Sequence, residues 1–449
     1  MKKFLLMALC VPALSNLSWA QTTDKCGYNF IHAAAVKRNP NFDAEHATMR
    51  QEAIRNASLT GAKLTTPTAV TVPVVFHIVL DSDYLKLMDP ATISDRVNSQ
   101  IAVLNEDYNK GNADSSKIPG VFKTRYGNPA IRFGLARVDP HGNPTPGWEV
   151  IVTTKNGFEL NNDDPGANVK HVDSGGADAW DVTKYINVWI TNFLVNGSPS
   201  TTIGLTIMPS YTVGTGAYPK DEMGIMLRYD AWGRRSSSTE NFFANIDQGR
   251  TLTHEMGHYF EMVHIWGDDF GKCPNSGGTD DGMADTPPQA DATYGCPTFP
   301  VTDACSKSVD TGIMFMNYMD YTNDACMYMF TNDQANAMYT EVSPGGESYS
   351  LTQHPELLAV SDVPAISTSN LSIYPNPTAG KINLTFTPAP KDLEAISVVN
   401  ILGQKVWERN INRQQISILN IDLSGTTKGI YFIECQYSKG KEVRKIMLQ

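Results

Sequence analysis

The 449-residue chain has no surplus of positive charge: 36 Lys and Arg stand against 47 Asp and Glu, a formal net charge of −11. That argues against nucleic acid or an anionic membrane surface as a partner, since both are drawn by a basic field. The chain also lacks an apolar run long enough to cross a bilayer. The best candidate, Phe4 to Leu14, falls short of the roughly 20 residues a span needs. Behind Lys2 and Lys3 and ahead of Ser18-Trp19-Ala20, it reads as the core of a secretory signal peptide over residues 1–20. Met7 stands where a lipoprotein signal would want Leu before Cys10, so lipidation is not the reading, and no transmembrane segment is expected in the mature protein. Cysteine is sparse as well. Of seven, six remain after the signal, and Cys273, Cys296, Cys305 and Cys326 crowd one region. An exported chain favours disulfides there, but four cysteines allow three pairings and the spacing does not choose.

Histidine is equally scarce, with nine in the chain, yet three fall in the stretch His254-Glu-Met-Gly-His-Tyr-Phe-Glu-Met-Val-His264. Residues four apart on a helix differ by about 40° of rotation, so His254 and His258 point the same way. Such a pair can bind one Zn²⁺, with Glu255 as general base of a hydrolase. His264 adds a third nitrogen and leaves one zinc position open for water, the arrangement of a catalytic metal. A helix continued through to His264 would rotate it by about −80° from His254, so the chain must turn sharply between His258 and His264. Gly makes such a turn by adopting φ > 0. Here Glu261 occupies the place and must take that conformation, at a cost of about 1 kcal/mol or more, or a neighbour must absorb the turn; a bound metal can hold such strain. In the expected mechanism Zn²⁺ on His254, His258 and His264 acidifies its water and polarises the scissile carbonyl. Glu255 takes the water's proton and passes it to the leaving amine.

Residues 21–64 are polar without sustained strand pattern and read as a pro-segment or flexible lead. The alternation Val70, Val72, Val74, Phe76, Ile78 predicts a strand, with Pro73 marking its start or an edge. Ile93, Val97, Ile101, Leu104 and Tyr108 recur at helical spacing behind a capping-box-like Thr92-Ile-Ser-Asp95. Residues 131–135, 185–190 and 224–229 read as further strands. The fold class is therefore α/β: a twisted mixed sheet with an active-site helix, a backing helix and an irregular subdomain in which Gly, Asp, Pro and Cys dominate residues 267–312. A linker follows over 344–367. Apolar runs at 371–374, 382–386, 396–401, 416–423 and 430–435 predict a small all-β sandwich over 368–449.

The His254–His264 motif followed by Asn317-Tyr-Met-Asp-Tyr321 resembles a metzincin peptidase with its Met-turn. More narrowly, residues 65–343 resemble the pappalysin family, on His264-Ile-Trp-Gly-Asp268, Ala284-Asp-Thr-Pro-Pro-Gln289, Asn317 to Asp324, Cys326-Met-Tyr-Met-Phe-Thr331 and Ser174-Gly-Gly-Ala-Asp-Ala-Trp180. The departure is Glu261 in place of Gly. The resemblance implies that Met319 is a hydrophobic floor under the zinc, and that Tyr321 donates a hydrogen bond to the tetrahedral intermediate. It implies that Asp324 lies at the bottom of a pocket selecting Arg or Lys, where a buried carboxylate pairs a cation. It further implies Ca²⁺ on Asp281, Asp285 and Thr286, disulfides Cys273–Cys305 and Cys296–Cys326, and Cys26 as a zymogen switch whose thiolate fills the open zinc position. Autolysis before Arg50 or Arg55 would then release the pro-segment.

The final module resembles a type IX secretion sorting domain, on Ile373-Tyr-Pro-Asn-Pro-Thr378, Asn400-Ile-Leu-Gly-Gln-Lys405, Lys428-Gly-Ile-Tyr431 and Lys445-Ile-Met-Leu-Gln449. It implies the type IX machinery as a partner and export to the surface or medium. The expectation is a secreted zinc endopeptidase acting on proteins or peptides before Arg or Lys. Its rivals are a zinc-binding pseudoprotease in which Glu261 disables the third ligand, and a peptide-binding surface protein.

Overall fold

Val70–Leu80 (β1) is the axis of the larger unit, and every residue from Val72 onward in it is buried. The computed structural model describes residues 25–61, 68–358 and 370–449, except 89, 164, 269–270, 277, 308–310, 388, 401–403, 413 and 439. The signal peptide expected over 1–20 and linker residues 359–367 lie outside the described residues. The chain divides into two units, residues 1–358 and 359–449.

In the first unit the other strands of the six-stranded sheet are Ile131–Leu135 (β2), Trp148–Val152 (β3), Ile186–Thr191 (β4), Gly204–Ile207 (β5) and Gly224–Arg228 (β6). The order is β2-β1-β4-β6-β5, with β3 also paired to β1. All these pairings are parallel except β5 against β6, so β5 is an antiparallel edge strand and the sheet is mixed. Pro73 pairs toward β2, and pairing with β4 starts at Val74. The missing N–H therefore falls where β1 has a neighbour on one side.

Among the described residues the α-helices longer than one turn are Tyr28–Arg38 (α1), Phe42–Gly61 (α2), Pro90–Asp107 (α3), Arg250–Tyr259 (α4) and Asn332–Glu341 (α5). α3 begins at Pro90 rather than at the expected Thr92 start, because proline's fixed φ suits a first helical turn. Ile93, Val97 and Leu104 of α3 are buried in one core with Met256 of α4 and Val74 and Phe76 of β1. Residues 28–61, expected to be a polar lead, form two helices. They anchor through Ile31, Ala34, Ala35 and Phe42, packed with Leu205, Ile207 and Tyr211. Half of those anchors are alanines, which leave little amphipathic stripe to read.

The expected linker starts later than residue 344. Short turns at Tyr349–Gln353 and Pro355–Leu357 bury Leu351 and Leu357, and Arg137 N donates to Leu357 O at 2.7 Å. The irregular region is stapled by Cys273–Cys305 and Cys296–Cys326.

The second unit is the expected sandwich, with strands Asn370–Tyr374 (β7), Lys381–Thr387 (β8), Leu393–Asn400 (β9), Lys405–Asn410 (β10), Ile418–Asp422 (β11), Gly429–Tyr437 (β12) and Gly440–Leu448 (β13). They form the sheets β7-β8-β11 and β10-β9-β12-β13. Alternate residues Ile382, Leu384 and Phe386 meet Ile396, Val398, Ile433 and Cys435 in the core. Among the described residues no helix is long and apolar enough to cross a membrane.

Candidate active site

Helix α4 is bolted at its start. The buried Arg250 guanidinium pairs with Asp107 at 3.0 Å and Asp114 at 3.2 Å. Asp107 also accepts from Thr253 Oγ1 at 2.7 Å and Tyr318 Oη at 2.8 Å. Burial pushes Asp107 up to about 6, against the pull of Arg250 and both hydroxyls. One charge-assisted network thus ties α4, α3 and the Met-turn together. The approach is close beneath α4: a Cβ on Gly257 would stand 2.4 Å from Met319 Sδ, so the glycine lets the buried Met319 lie directly under the helix.

The helix ends with both bonds of a Schellman motif. Met262 N donates to Gly257 O at 3.0 Å and Glu261 N to His258 O at 2.8 Å. The left-handed residue that closes it is Glu261, with φ +66°. The turn expected of Gly is therefore made by Glu. Its carboxylate is held in return: Ser210 N donates to Oε1 at 2.9 Å and Ser210 Oγ to Oε2 at 2.6 Å. Burial, with Glu341 and Glu347 nearby, raises the Glu261 pKa well above the ordinary glutamate value, and the two Ser210 donors pull it back only in part.

This turn brings His264 back onto the face of His254 and His258. The three Nε2 atoms lie 3.1 Å (His254–His258), 3.2 Å (His254–His264) and 3.2 Å (His258–His264) apart. Each Nδ1 already has an acceptor: Tyr318 O at 2.7 Å for His254, Met262 O at 2.7 Å for His258 and Asp268 Oδ1 at 2.5 Å for His264. With the protons on Nδ1, three Nε2 lone pairs converge on one point, and a cation between them resolves the repulsion. Burial first, then the neighbouring imidazoles, pushes His254 down to about 3 and His258 well below its usual value, which keeps the rings neutral as metal ligands must be. A tetrahedral zinc with the usual bond lengths separates its nitrogens by roughly 3.3 Å and nitrogen from sulfur by roughly 3.6 Å. Cys26 Sγ lies 3.6 Å from His258 Nε2 and completes such a set. Among the described residues it is the one cluster of three or more His, Cys, Asp or Glu with ligand atoms in reach of a single ion.

Glu255 is buried beside the cluster and accepts from Thr206 Oγ1 of β5 at 2.7 Å. A Cβ at Gly204 would meet Glu255 Oε1 at 2.5 Å, so glycine keeps the edge strand close to the carboxylate. Tyr321 packs its ring on His264 and His254, with centroids at 4.8 and 5.7 Å.

Next to Glu255 opens a pocket whose lining includes Lys25, His254, Glu255, Asp320, Tyr321 and Asp324. Asp324 is buried and accepts from the amides of Gln248 at 2.7 Å and Arg250 at 3.3 Å, the approach to α4. Burial raises its pKa, and those donors, Arg250 and Lys25 lower it. The Lys25 side chain, one residue before Cys26, lines this pocket with its Nζ donating to Thr322 O at 3.4 Å, and the Asp324 and Asp320 charges offset part of the burial that lowers its pKa.

The residues expected to bind calcium are partly gathered. Thr286 Oγ1 donates to Asp281 Oδ1 at 2.7 Å, while Asp285 faces α5, accepting from Asp333 N at 3.1 Å. Burial pushes Asp281 up to about 7 and raises Asp285 as well. Thr206, Ser210 and Lys25 were not foreseen, because each is brought in from far along the chain and carries no local pattern. Asp268 stands four residues after His264, a spacing at which a carboxylate can reach the ring.

Two family models match the chain: one described as Pregnancy-associated plasma protein-A over residues 170–343, and one as Secretion system C-terminal sorting domain over residues 372–449. Mature mirolysin of Tannerella forsythia in complex with a cleaved peptide is 35% identical, with a TM-score of 0.57, covering 66% of this chain and 100% of that one. A promirolysin mutant from the same organism is 33% identical, with a TM-score of 0.62 over 75% of this chain and 100% of that one. An extracellular metalloprotease of Neurospora crassa is 29% identical over 341 residues, 75% of this chain and 94% of the relative. One from Arthroderma gypseum is 28% identical over 289 residues, 64% of this chain and 77% of the relative.

Proposed function

This chain belongs to the pappalysin family of metallopeptidases and is a secreted metalloendopeptidase with a type IX sorting domain, and from that premise we propose that it uses zinc and Glu255 to cut peptides before Arg or Lys. The observation that carries the reading is the convergence of three Nε2 atoms within 3.2 Å of one another with Glu255 buried beside them. His254, His258 and His264 would hold the metal, and Cys26 would be the fourth ligand while the pro-segment is in place. Bound zinc supplies a Lewis acid and an acidified water. Glu255, oriented by Thr206, takes up a proton as the scissile carbonyl is attacked and gives it to the leaving amine. Tyr321 donates to the developing oxyanion, and Met319 gives the cluster an apolar floor.

Selectivity rests on Asp324. Lys25 and Asp324 lining one pocket supports a site for a cationic side chain, since one desolvated carboxylate can pair Lys, or Arg in a bidentate fork. Asp281, Asp285 and Thr286 offer hard oxygens for a Ca²⁺ that would relieve two buried carboxyls. The domain organisation we propose is a signal peptide over 1–20, a pro-segment over 21–64, a catalytic domain from 65 that extends to 358, a linker to 367 and a sorting domain over 368–449. The pseudoprotease reading depended on Glu261 failing to make the turn, and the φ of +66° removes that ground.

The test is hydrolysis of an Arg-containing peptide by the processed protein, beside Glu255→Ala and a chelated sample. Stoichiometric zinc with no Glu255-dependent cleavage of any peptide would sink the reading.

A further inference from the structure

Glu261 does more than make a turn. The edge strand β5 ends at Ile207, and three residues on, the buried Ser210 directs both of its donors onto Glu261, at 2.9 Å from the amide and 2.6 Å from the hydroxyl. β5 itself faces the reacting groups. Thr206 holds Glu255 at 2.7 Å, and Gly204 lies close against the same carboxylate. Its outer edge already carries extended chain: Gly27 N donates to Gly204 O at 2.8 Å, and Ile203 N, just before the strand, donates to Lys25 O at 2.8 Å. Any displacement of β5 therefore moves a peptide-bearing ledge and the partner of Glu255 together. For the backbone alone, Gly would take φ +66° without strain. What Gly lacks is an acceptor for two buried donors.

Resting on the endopeptidase reading above, we propose that Glu261 is a positioning residue for substrate: by accepting both hydrogen bonds of Ser210 it ties the exit of β5 to the metal-binding turn and holds the strand where an extended peptide lies across Glu255. A residue that served only the turn would be improved by Gly, whereas a tie is lost with Gly.

The experiment compares Glu261→Gly and Glu261→Gln in the self-processed enzyme. It reads KM and kcat on an extended peptide, zinc content, and amide exchange at Ser210. The expected result is a KM about tenfold higher in Glu261→Gly with kcat within about twofold, the scale of a lost buried hydrogen bond. Zinc should be unchanged, the Ser210 amide should exchange faster while α4 stays protected, and Glu261→Gln should recover most of the KM, since its carbonyl oxygen can still accept from the Ser210 amide and its NH2 can donate to the Ser210 hydroxyl, which turns to accept. An unaltered KM in Glu261→Gly, an equal KM rise in Glu261→Gln, or a loss confined to kcat with zinc released would overturn the tie. If the unaltered enzyme cleaves nothing, it is the endopeptidase reading that fails. The tie is still decided by exchange, and a Ser210 amide no faster in Glu261→Gly than in the unaltered chain refutes it.

Discussion

On the catalytic side of the cleft every metal-facing imidazole has its Nδ1 acceptor in place and Glu255 has Thr206. Under α2 the chain is built differently. A cavity of about 200 Å³ lies there, lined by His46, Met49 and Arg50 of α2 and by Glu261, Glu341 and Glu347. His46 Nε2, Arg50 Nε and Glu347 Oε2 are buried in it without a hydrogen-bond partner among the described residues. A buried polar group without a partner costs about 1–3 kcal/mol. Asp268 Oδ2 and Thr251 Oγ1 on the metal side are likewise buried without a hydrogen-bond partner among the described residues, so the contrast lies in the packing: the histidines are tied from several elements, whereas α2 closes over a cavity, and on the reading proposed above α2 belongs to the segment that leaves once Cys26 lets go.

The metal side breaks most visibly. Glu255→Ala should lower kcat by about 10²–10⁴-fold, the usual contribution of a positioned general base, while zinc stoichiometry is kept. Equal loss of zinc would mean that Glu255 supports the ligands rather than the chemistry. On the pro-segment side, Cys26→Ala removes the fourth ligand and should speed activation of the precursor by about tenfold or more, read as the half-life of the full-length band. An unaltered half-life would shift the whole of latency onto the helices. Asp324→Ala should cut kcat/KM for Arg or Lys substrates by about 10–100-fold, the worth of a charge-assisted hydrogen bond, and should change peptides with an apolar residue in that place far less. A uniform fall on both would mean that Asp324 merely caps the approach to α4.

How much of this contrast was legible beforehand differs between its two halves. The metal side was, since the His spacing, the Met-turn and the need for a sharp turn at Glu261 are all local, and helix geometry alone rotates His264 away unless the chain reverses. The cover was not. Among their described side chains α1 and α2 bury one Ile, two alanines, one Phe and His46, too few large apolar residues to mark a stripe, and Lys25 comes to line the Asp324 pocket only through tertiary packing. The same reasoning explains two strands missed in the sandwich. Lys405–Asn410 is largely exposed, and Gly440–Leu448 places four charged residues around Val443 and keeps only the short Ile446-Met-Leu448 run at its end.

The smallest expected effect is one of pH on the cover, and its sign can be worked out. Burial raises Glu261, Glu341 and Glu347 above the ordinary glutamate value of 4.5, with mutual repulsion adding for Glu261 and Glu341. The covered state therefore prefers these groups protonated. Below pH 4.5 both covered and uncovered forms are protonated and the grip of α2 is undiminished. As pH rises the uncovered form ionises first, so release becomes easier until the covered groups titrate in turn. His46 acts the other way: burial and Arg50 hold it at about 4, so below its ordinary 6.5 it is the uncovered state that takes up a proton. Three carboxyls oppose one imidazole, and the net slope above pH 4.5 is toward release. In a Glu255→Ala precursor, which cannot process itself, tryptic nicking at Arg50 and Arg55 relative to an unfolded peptide should quicken from pH 5 to 8 by several-fold, on the order of one charge's worth of linkage. Glu341→Gln should flatten that rise, and His46→Gln should steepen it below 6.5. A nicking rate independent of pH in all three proteins would show that α2 parts from the catalytic unit without uncovering the carboxyls, and the difference between the two sides would then rest on Cys26 alone.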